Sequence, residues 1–430
     1  MNISPARIAA YDILLRIDRD QAFSAVLLPE YESRLNDKDR ALCHQLVLGV
    51  LRRKMYLDAA IASLAGTKKI DLEVQIALRL GAFQVLELDR IPHHSAVNES
   101  VALVQRAKKT SAKGFVNAIL RRISKEGISL NVPDPIERRS IETSHPRWLL
   151  ERWGEQFGED RGAAIAFANN QAPRTAFRLT TFGKLRSTIL PEYCRESEIA
   201  PGAYVADRST PELRDLSERG EIYFQDEASQ LTARQIELAE GGAFLDVCAA
   251  PGGKTALLAD ANSAANVQIF AGDLYQKRAE FLRENCRKQG VNSVHVLRYD
   301  AEAAIPFADE SFDAVLVDAP CSGTGTISSN PEIRYFLQPD DLLALPKKQR
   351  AILANASKLL KRGGRLYYST CSLEVEENEA VISAFLTEAD GFTVEAVQVN
   401  ERFVTEAGFG RTFPDEDGTD GFFFAVLSKV

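Results

Sequence analysis

A chain of 430 residues that is 45% hydrophobic can bury ample core and is expected to hold two or three domains. No run of eighteen apolar residues occurs, and the opening stretch MNISPARIAAYDILLRIDRD carries acids and lacks a cleavable apolar core. Neither a membrane span nor a secretory leader is therefore expected. The net charge of −8 is split unevenly, with 22 Lys and Arg against 16 Asp and Glu in residues 1–139 and 30 against 44 in the rest. A basic N-terminal part on an acidic body reads as a polyanion-binding module attached to something else. The six cysteines (Cys43, Cys194, Cys248, Cys286, Cys321, Cys371) form no C-x-x-C pair, which points to a reducing cytoplasm and away from zinc. His93-His94 reads as part of a loop rather than as a metal pair.

Residues 1–140 read as all-helical. Apolar positions recur at helical spacing in Ile8, Tyr11 and Leu15, and again in Leu42, Leu46 and Val50. Further helices are expected over VQIALRLGAFQVLEL and VNESVALVQRAKK, the latter starting near Asn98 and Ser100, with Pro92 ending the segment before it. Basic residues cluster as Arg52-Arg53-Lys54, Lys108-Lys109 with Lys113, and Arg121-Arg122. Such clusters are either solvated helix faces or phosphate contacts that position RNA without reading its sequence. Asn131 to Pro135 reads as a linker.

Residues 140–240 are mixed: SHPRWLLERWGEQFG and the alanine-rich run after it suggest helices, and RTAFRLT suggests a strand. From residue 243 strands alternate with helices. The strands are AFLDV, VQIFAGD, SVHVLRYD, FDAVLVDAP, RLYYSTCS and GFFFAVLSKV; helix-like segments such as QKRAEFLRENCRKQ and KKQRAILANASKLL separate most of them. That alternation implies a parallel sheet covered on both faces.

The first of these strands runs into a Gly-rich turn, FLDVCAAPGGKT, that opens a helix. Glycines there let backbone approach a ligand, and the first helical N–H groups point at it. A phosphate-binding loop would need Gly where Cys248 stands, and no G-x-G-x-x-G occurs. Asp246, Asp273, Asp300 and Asp318 each fall at or near the end of a successive strand, so four carboxylates are expected around one crevice. One such Asp is usually a helix cap; four in register suit a ligand with a cationic or hydroxyl-rich body. Cys321 and Cys371 follow strands on the same edge, both in Gly/Ser/Thr-rich turns where a thiol can serve as a nucleophile.

VDAPCSGTG and STCS, with FLDVCAAPGGKT upstream, resemble the signatures of RNA cytosine-C5 methyltransferases. Over nearly its full length the chain resembles the bacterial Sun/Fmu (RsmB-type) subgroup, which modifies small-subunit (16S) ribosomal RNA. IPHHSAVNESV and KGFVNAILRR look like pieces of that subgroup's NusB-like domain, whereas Ser328 to Tyr335 only loosely matches the subgroup's loop following the first cysteine motif. The resemblance implies an all-α, NusB-like RNA-binding domain over 1–135 and a mixed α/β linker subdomain over 140–235. A class I (Rossmann-like) methyltransferase domain with a mostly parallel sheet would follow over 236–430. It also implies a cytoplasmic, metal-independent monomer that uses S-adenosylmethionine.

By the same resemblance Cys371 is the nucleophile that adds to C6 of cytosine, Cys321 assists release, and Asp318 holds the base. Cysteine spacing alone cannot choose between the two thiols, and Cys321 is the rival nucleophile. The cofactor is expected across Cys248, Ala249, Ala250, Pro251, Gly252, Gly253 and Lys254, with Asp273 on the ribose, Asp300 near the adenine amine and Asp318 between donor and base. Lys254 is either a cofactor-side cation or a surface lysine. Transfer RNA is an alternative substrate; a non-catalytic RNA-binding or antitermination factor and an NTPase are alternatives of other classes.

Overall fold

The structure, a computed structural model, describes residues 3–66, 69–128 and 131–430. Its internal contacts divide the chain into two units, Met1–Ala172 with Ile327–Phe336, and Pro173–Thr326 with Leu337–Val430. Met1 and Asn2 of the opening stretch lie outside the described residues.

The first unit is helical: α1 (Pro5–Asp20), α2 (Ser24–Glu32), α3 (Asp37–Arg52), α4 (Lys54–Ala65), α5 (Leu72–Glu87), α6 (His93–Arg106), α7 (Lys113–Glu126), α8 (Pro135–Thr143), α9 (Arg147–Phe157) and α10 (Glu159–Ala168). The 3.6-residue rhythm explains the packing: Ala6, Ala10, Ile13, Leu14 and Ile17 of α1 share a core with Leu46 and Val50 of α3, Leu78 of α5 and Leu120 of α7. At Gly81 a Cβ would sit 2.4 Å from Leu120, so only glycine lets α5 and α7 approach this closely. Two buried arginines of the bundle are hydrogen-bonded. Arg79 donates to Asp18 at 2.5 Å and to Asp58 at 2.6 Å, and Arg7 reaches Gln84 at 2.6 Å.

Several expectations change here. His93 and His94 begin α6 rather than lie in a loop, since Pro92 supplies the fixed φ of a residue just outside a helix start. The basic run 52–54 is engaged within the unit, with Arg53 in a surface pair. Arg52 donates to Ser328 O (2.8 Å), Arg53 to Glu87 (3.1 Å) and Lys54 to Asp18 (2.7 Å). The expected linker ends in a helix cap, because Asp134 accepts from the backbone of Ile136 and Glu137 ahead of Pro135. By internal contacts helices α8 to α10 group with the N-terminal unit, which runs to Ala172.

The loosely matching stretch after the first cysteine motif also belongs to this unit, and its short helix Ile333–Phe336 is α16 in chain order. Arg334 is fully buried and donates to Asn170 Oδ1 (2.8 Å), Thr143 O (3.2 Å) and Asn169 O (3.2 Å). Tyr335 donates to Leu51 O (2.7 Å), and Glu332 accepts from both the N–H and the hydroxyl of Ser24 (2.6 and 2.8 Å).

The second unit opens with a small antiparallel sheet, in the order β2-β3-β1-β4. Its strands are β1 (Thr175–Leu179), β2 (Arg195–Glu196), β3 (Ala203–Ala206) and β4 (Ile222–Phe224), accompanied by α11 (Thr181–Leu185), α12 (Pro211–Glu218) and α13 (Glu227–Arg234). Only β1 was legible beforehand; the others run four residues or fewer, too short for alternation to register.

The main sheet has the order β10-β12-β9-β8-β5-β6-β7, with β11 against β12. Its elements are β5 (Ala243–Asp246), α14 (Gly253–Ala261), β6 (Gln268–Asp273), α15 (Gln276–Lys288), β7 (Val294–Arg298), β8 (Phe312–Asp318), α17 (Asp341–Lys358), β9 (Leu360–Thr370), α18 (Glu379–Glu388), β10 (Phe392–Glu395), β11 (Gly410–Arg411), α19 (Pro414–Asp417) and β12 (Phe423–Lys429). Strands β7, β6, β5, β8 and β9 are parallel, whereas β12 runs antiparallel to β9. An all-apolar run reports burial on both faces and carries no direction, so GFFFAVLSKV did not reveal this reversal. Leu245, Val315, Leu366 and Phe423 face one apolar layer with Ile352 and Ile382; Phe244, Leu316, Tyr367 and Phe424 face another with Ala256 and Leu282. The first strand, β5, lies between β6 and β8, so the chain order switches direction there and leaves a crevice at the carboxyl ends.

Replacing Arg334 with Ala should destabilise the N-terminal unit by about 3 kcal/mol, since it orphans buried carbonyls and leaves a cavity. Urea unfolding followed by far-UV circular dichroism measures this; a midpoint like that of the wild type would mean the guanidinium contributes no net stability.

Candidate active site

The Gly-rich turn is anchored on both sides of β5. Val247 N–H donates to Leu316 O (2.9 Å) on β8, and Ala249 N–H to Gly272 O (2.8 Å) on β6. Gly252 has φ +100°, and a Cβ there would meet Leu282 Cδ1 at 2.5 Å, so both conformation and packing require glycine. Helix α14 begins at Gly253. The Ala250 and Pro251 carbonyls are held from α15, by Arg278 (2.9 Å) and Asn285 (2.8 Å). Burial and the neighbouring carboxylates Asp246, Asp318 and Asp273 push the Cys248 thiol up, which makes it an inert packing residue.

Each of the four acids follows a strand of the parallel sheet, but their surroundings differ. Asp246 is buried under α14, where Oδ2 accepts from Thr255 Oγ1 at 2.6 Å, and burial pushes its carboxyl up to about 7. Asp273 ends β6, buried, accepting from Tyr275 N–H (3.1 Å) and pairing with Arg278 (3.2 Å). Asp300 is exposed two residues beyond β7 and accepts from Glu302 N–H (3.0 Å), the pattern of a turn cap. Asp318 ends β8 between Lys254 Nζ and Ser369 Oγ, each at 2.7 Å. Lys254 is not a surface lysine: it is 8% exposed, and its ammonium lies 5.0 Å from the centre of the Phe422 ring. Burial favours its neutral form, but Asp318 and then Cys371 outweigh that and raise its pKa.

The structure brings Cys321 and Cys371 together, with 3.4 Å between their sulfurs. They leave adjacent parallel strands, and the turns are joined by Ala319 N–H to Ser369 O (2.8 Å), Gly325 N–H to Cys371 O (3.0 Å) and Leu373 N–H to Thr324 Oγ1 (2.9 Å). Loss of the Cys321 proton is disfavoured, first by its hydrogen bond to the Cys371 sulfur and then by burial. Cys43 and Cys286 are buried thiols pushed up to about 12 by desolvation, apart from this pair. Sequence reading missed Ser322, Ser369, Ser372, Glu377 and Gln349 around the thiols. The Ser residues lay in turns already marked as polar. Glu377 was hidden in the run Glu374-Val375-Glu376-Glu377, which reads as a solvated face.

Among the described residues no group of three His, Cys, Asp or Glu could hold a metal ion, and no helix is long and apolar enough to cross a membrane. A Rossmann-like sheet with a Gly-rich turn after its first strand, behind a helical unit, defines an S-adenosylmethionine-dependent methyltransferase fold with an added helical domain. Residues 233–428 match the family described as 16S rRNA methyltransferase RsmB/F, and residues 4–125 match the NusB family. The chain is 32% identical to the "Probable ribosomal RNA small subunit methyltransferase B" of Bacillus subtilis, with all of both chains covered. It is 34% identical to the ribosomal RNA small subunit methyltransferase B of Pseudomonas putida, over 99% of this chain and 98% of that one. The crystal structure of PH0851 superposes with a TM-score of 0.84 at 25% identity, covering 100% of each chain. The chain therefore belongs to the RsmB/F family of 16S rRNA methyltransferases.

Asp246 gives a test of the site's electrostatics. An acid whose pKa is raised in the folded state keeps its proton there while the unfolded chain has lost it. Its contribution to stability is therefore full below about 4 and lost as pH rises towards about 7. Asp246→Asn cannot ionise and should flatten the fall in melting temperature across that window. Melting curves that fall equally for both proteins would mean Asp246 is ionised throughout.

Proposed function

We propose that this protein methylates C5 of a cytosine in small-subunit ribosomal RNA through a covalent bond from Cys371 to C6. The observation that carries the reading is the 3.4 Å separation of two thiols on turns leaving adjacent strands, beside an Asp318–Lys254 pair. Cytosine C5 is a poor nucleophile, and addition of a thiolate at C6 converts the ring into an enamine that is nucleophilic at C5. By the resemblance of STCS to the family signature Cys371 is the attacking sulfur, with the Cys321 thiol 3.4 Å away as its partner. After C5 has taken the methyl group, a base removes the C5 proton and the electron pair expels the Cys371 sulfur from C6 as thiolate, a release that Cys321 assists. Asp318, kept in place by Lys254 and Ser369, accepts from the exocyclic amine of the base and balances charge on the adduct. A base reaching these thiols must be unpaired or turned out of its helix.

S-adenosylmethionine, when bound, supplies an electrophilic methyl group. The turn fits it. Backbone from Cys248 through Ala249, Ala250, Pro251, Gly252 and Gly253 to Lys254 would line it, with the turn held in shape by the packing of Gly252 against Leu282. Asp273 uses one contact on each oxygen, leaving acceptor capacity for vicinal ribose hydroxyls. Asp300 would accept from the adenine amine. The helical unit would bind RNA by phosphate contacts from Lys108, Lys113 and Arg121, since Arg52, Arg53 and Lys54 are already engaged.

The test is methyl transfer from labelled cofactor to undermethylated small-subunit RNA, followed by digestion to nucleosides. Label should appear in 5-methylcytidine, with transfer RNA unlabelled, and the protein should bind S-adenosylmethionine and not ATP. Label in another nucleoside, or in transfer RNA alone, would overturn the assignment.

A further inference from the structure

Glu377 is fully buried between the two cysteine turns, yet it touches neither sulfur. Its Oε1 accepts from Ser322 N–H at 2.9 Å and from the Gln349 side-chain amide at 3.0 Å. Its Oε2 accepts from the hydroxyls of Ser322 and Ser372, each at 2.5 Å. Ser322 follows Cys321 and Ser372 follows Cys371, so a single carboxylate grips the residue next to each thiol. The Gln349 amide also donates to Pro320 O (3.0 Å), just before Cys321. The backbone of Glu377 is itself fixed to β9, because Tyr368 donates to its carbonyl at 2.6 Å. An ionised carboxylate accepts and never donates, and its two oxygens offer about four lone-pair directions. Four converging donors use that capacity fully.

We propose that Glu377 is a positioning residue that sets the separation and alignment of the Cys321 and Cys371 sulfurs by clamping Ser322 and Ser372 together. The purpose of that alignment, attack by one thiol and release assisted by the other, rests on the function proposed above; the clamp itself does not. Its charge also faces Cys321 and opposes a second thiolate beside the first, a lesser contribution than the thiol–thiol hydrogen bond. The two contributions predict different variants. A clamp depends on reach, so Glu377→Asp, which keeps the charge but withdraws the carboxylate by one methylene, should fail. Glu377→Gln keeps the reach, and its amide can face serine hydroxyls that rotate to accept, so it should restore most of the function.

Two readouts separate the clamp from the reaction. In methyl transfer with saturating cofactor and RNA, Glu377→Asp should lower kcat on the order of 10²-fold, the scale of a misplacement of about 1 Å. Cofactor affinity and KM for RNA should stay at wild-type values, and Glu377→Gln should recover most of kcat. Independently, phenylarsine oxide bridges two thiols held close together. It should bind wild type with a stoichiometry of one, release with a dithiol but not a monothiol, and fail on a Cys321→Ser control. Glu377→Asp should weaken this binding at least tenfold on the same argument, and Glu377→Gln should not.

Wild-type arsenical affinity and kcat in Glu377→Asp would overturn the proposal. So would loss in Glu377→Gln with Glu377→Asp intact, which would make charge rather than reach the cause. If the wild type methylates no RNA, the function proposed above fails, and the arsenical series alone still decides on the clamp.

Discussion

Parallel pairing of β8 with β9 sets the spacing on which the candidate site depends. With Asp318 opposite Ser369, the chain leaves both strands at one edge of the sheet, and each exit carries a cysteine within three residues. Two turns that start 50 residues apart in sequence thereby bring two sulfurs into contact. An antiparallel neighbour could not do this, because its exit would lie at the opposite edge. The next strand, β12, is in fact antiparallel and contributes its approach rather than its exit, placing Phe422 against Lys254.

Around that edge the charged groups are hydrogen-bonded, Lys254 and Glu377 buried and Asp318 partly so. Lys254 and Asp318 form a close pair, Asp318 also accepts from Ser369, and four donors satisfy Glu377. Unpaired, any of these would carry a desolvation cost of several kcal/mol; paired, they hold their geometry without reorganising when a base enters. Preorganisation of this kind rests on strands and the first turns after them.

Much of this was legible in the sequence, for physical reasons that differ by element. Buried parallel strands announce themselves as apolar runs, and the turn FLDVCAAPGGKT announces a ligand site through its glycines. The cysteine motifs are specific enough to name a family. What escaped was set by tertiary contacts. Whether Asp246 faces the crevice or lies beneath α14 depends on Thr255, a residue with no marker in the sequence. Glu377 and Glu376 are adjacent in one acidic run, and only the fold buries the first. Arg334 and Glu332 read as an ordinary polar loop, although they are fully buried in the helical unit. His93 and His94 were misplaced because a helix start after Pro92 leaves a weaker signal than the two rings.

The central claim is a division of labour between two thiols in contact. The measurement that bears on it most directly compares Cys371→Ser and Cys321→Ser incubated with small-subunit RNA and labelled S-adenosylmethionine, then run on a denaturing gel. The account predicts that Cys321→Ser accumulates a covalent protein–RNA band because release is blocked, while Cys371→Ser gives neither band nor methylated RNA. The reverse pattern would make Cys321 the nucleophile. Methylation by wild type without a trapped species in either variant would contradict the covalent route altogether.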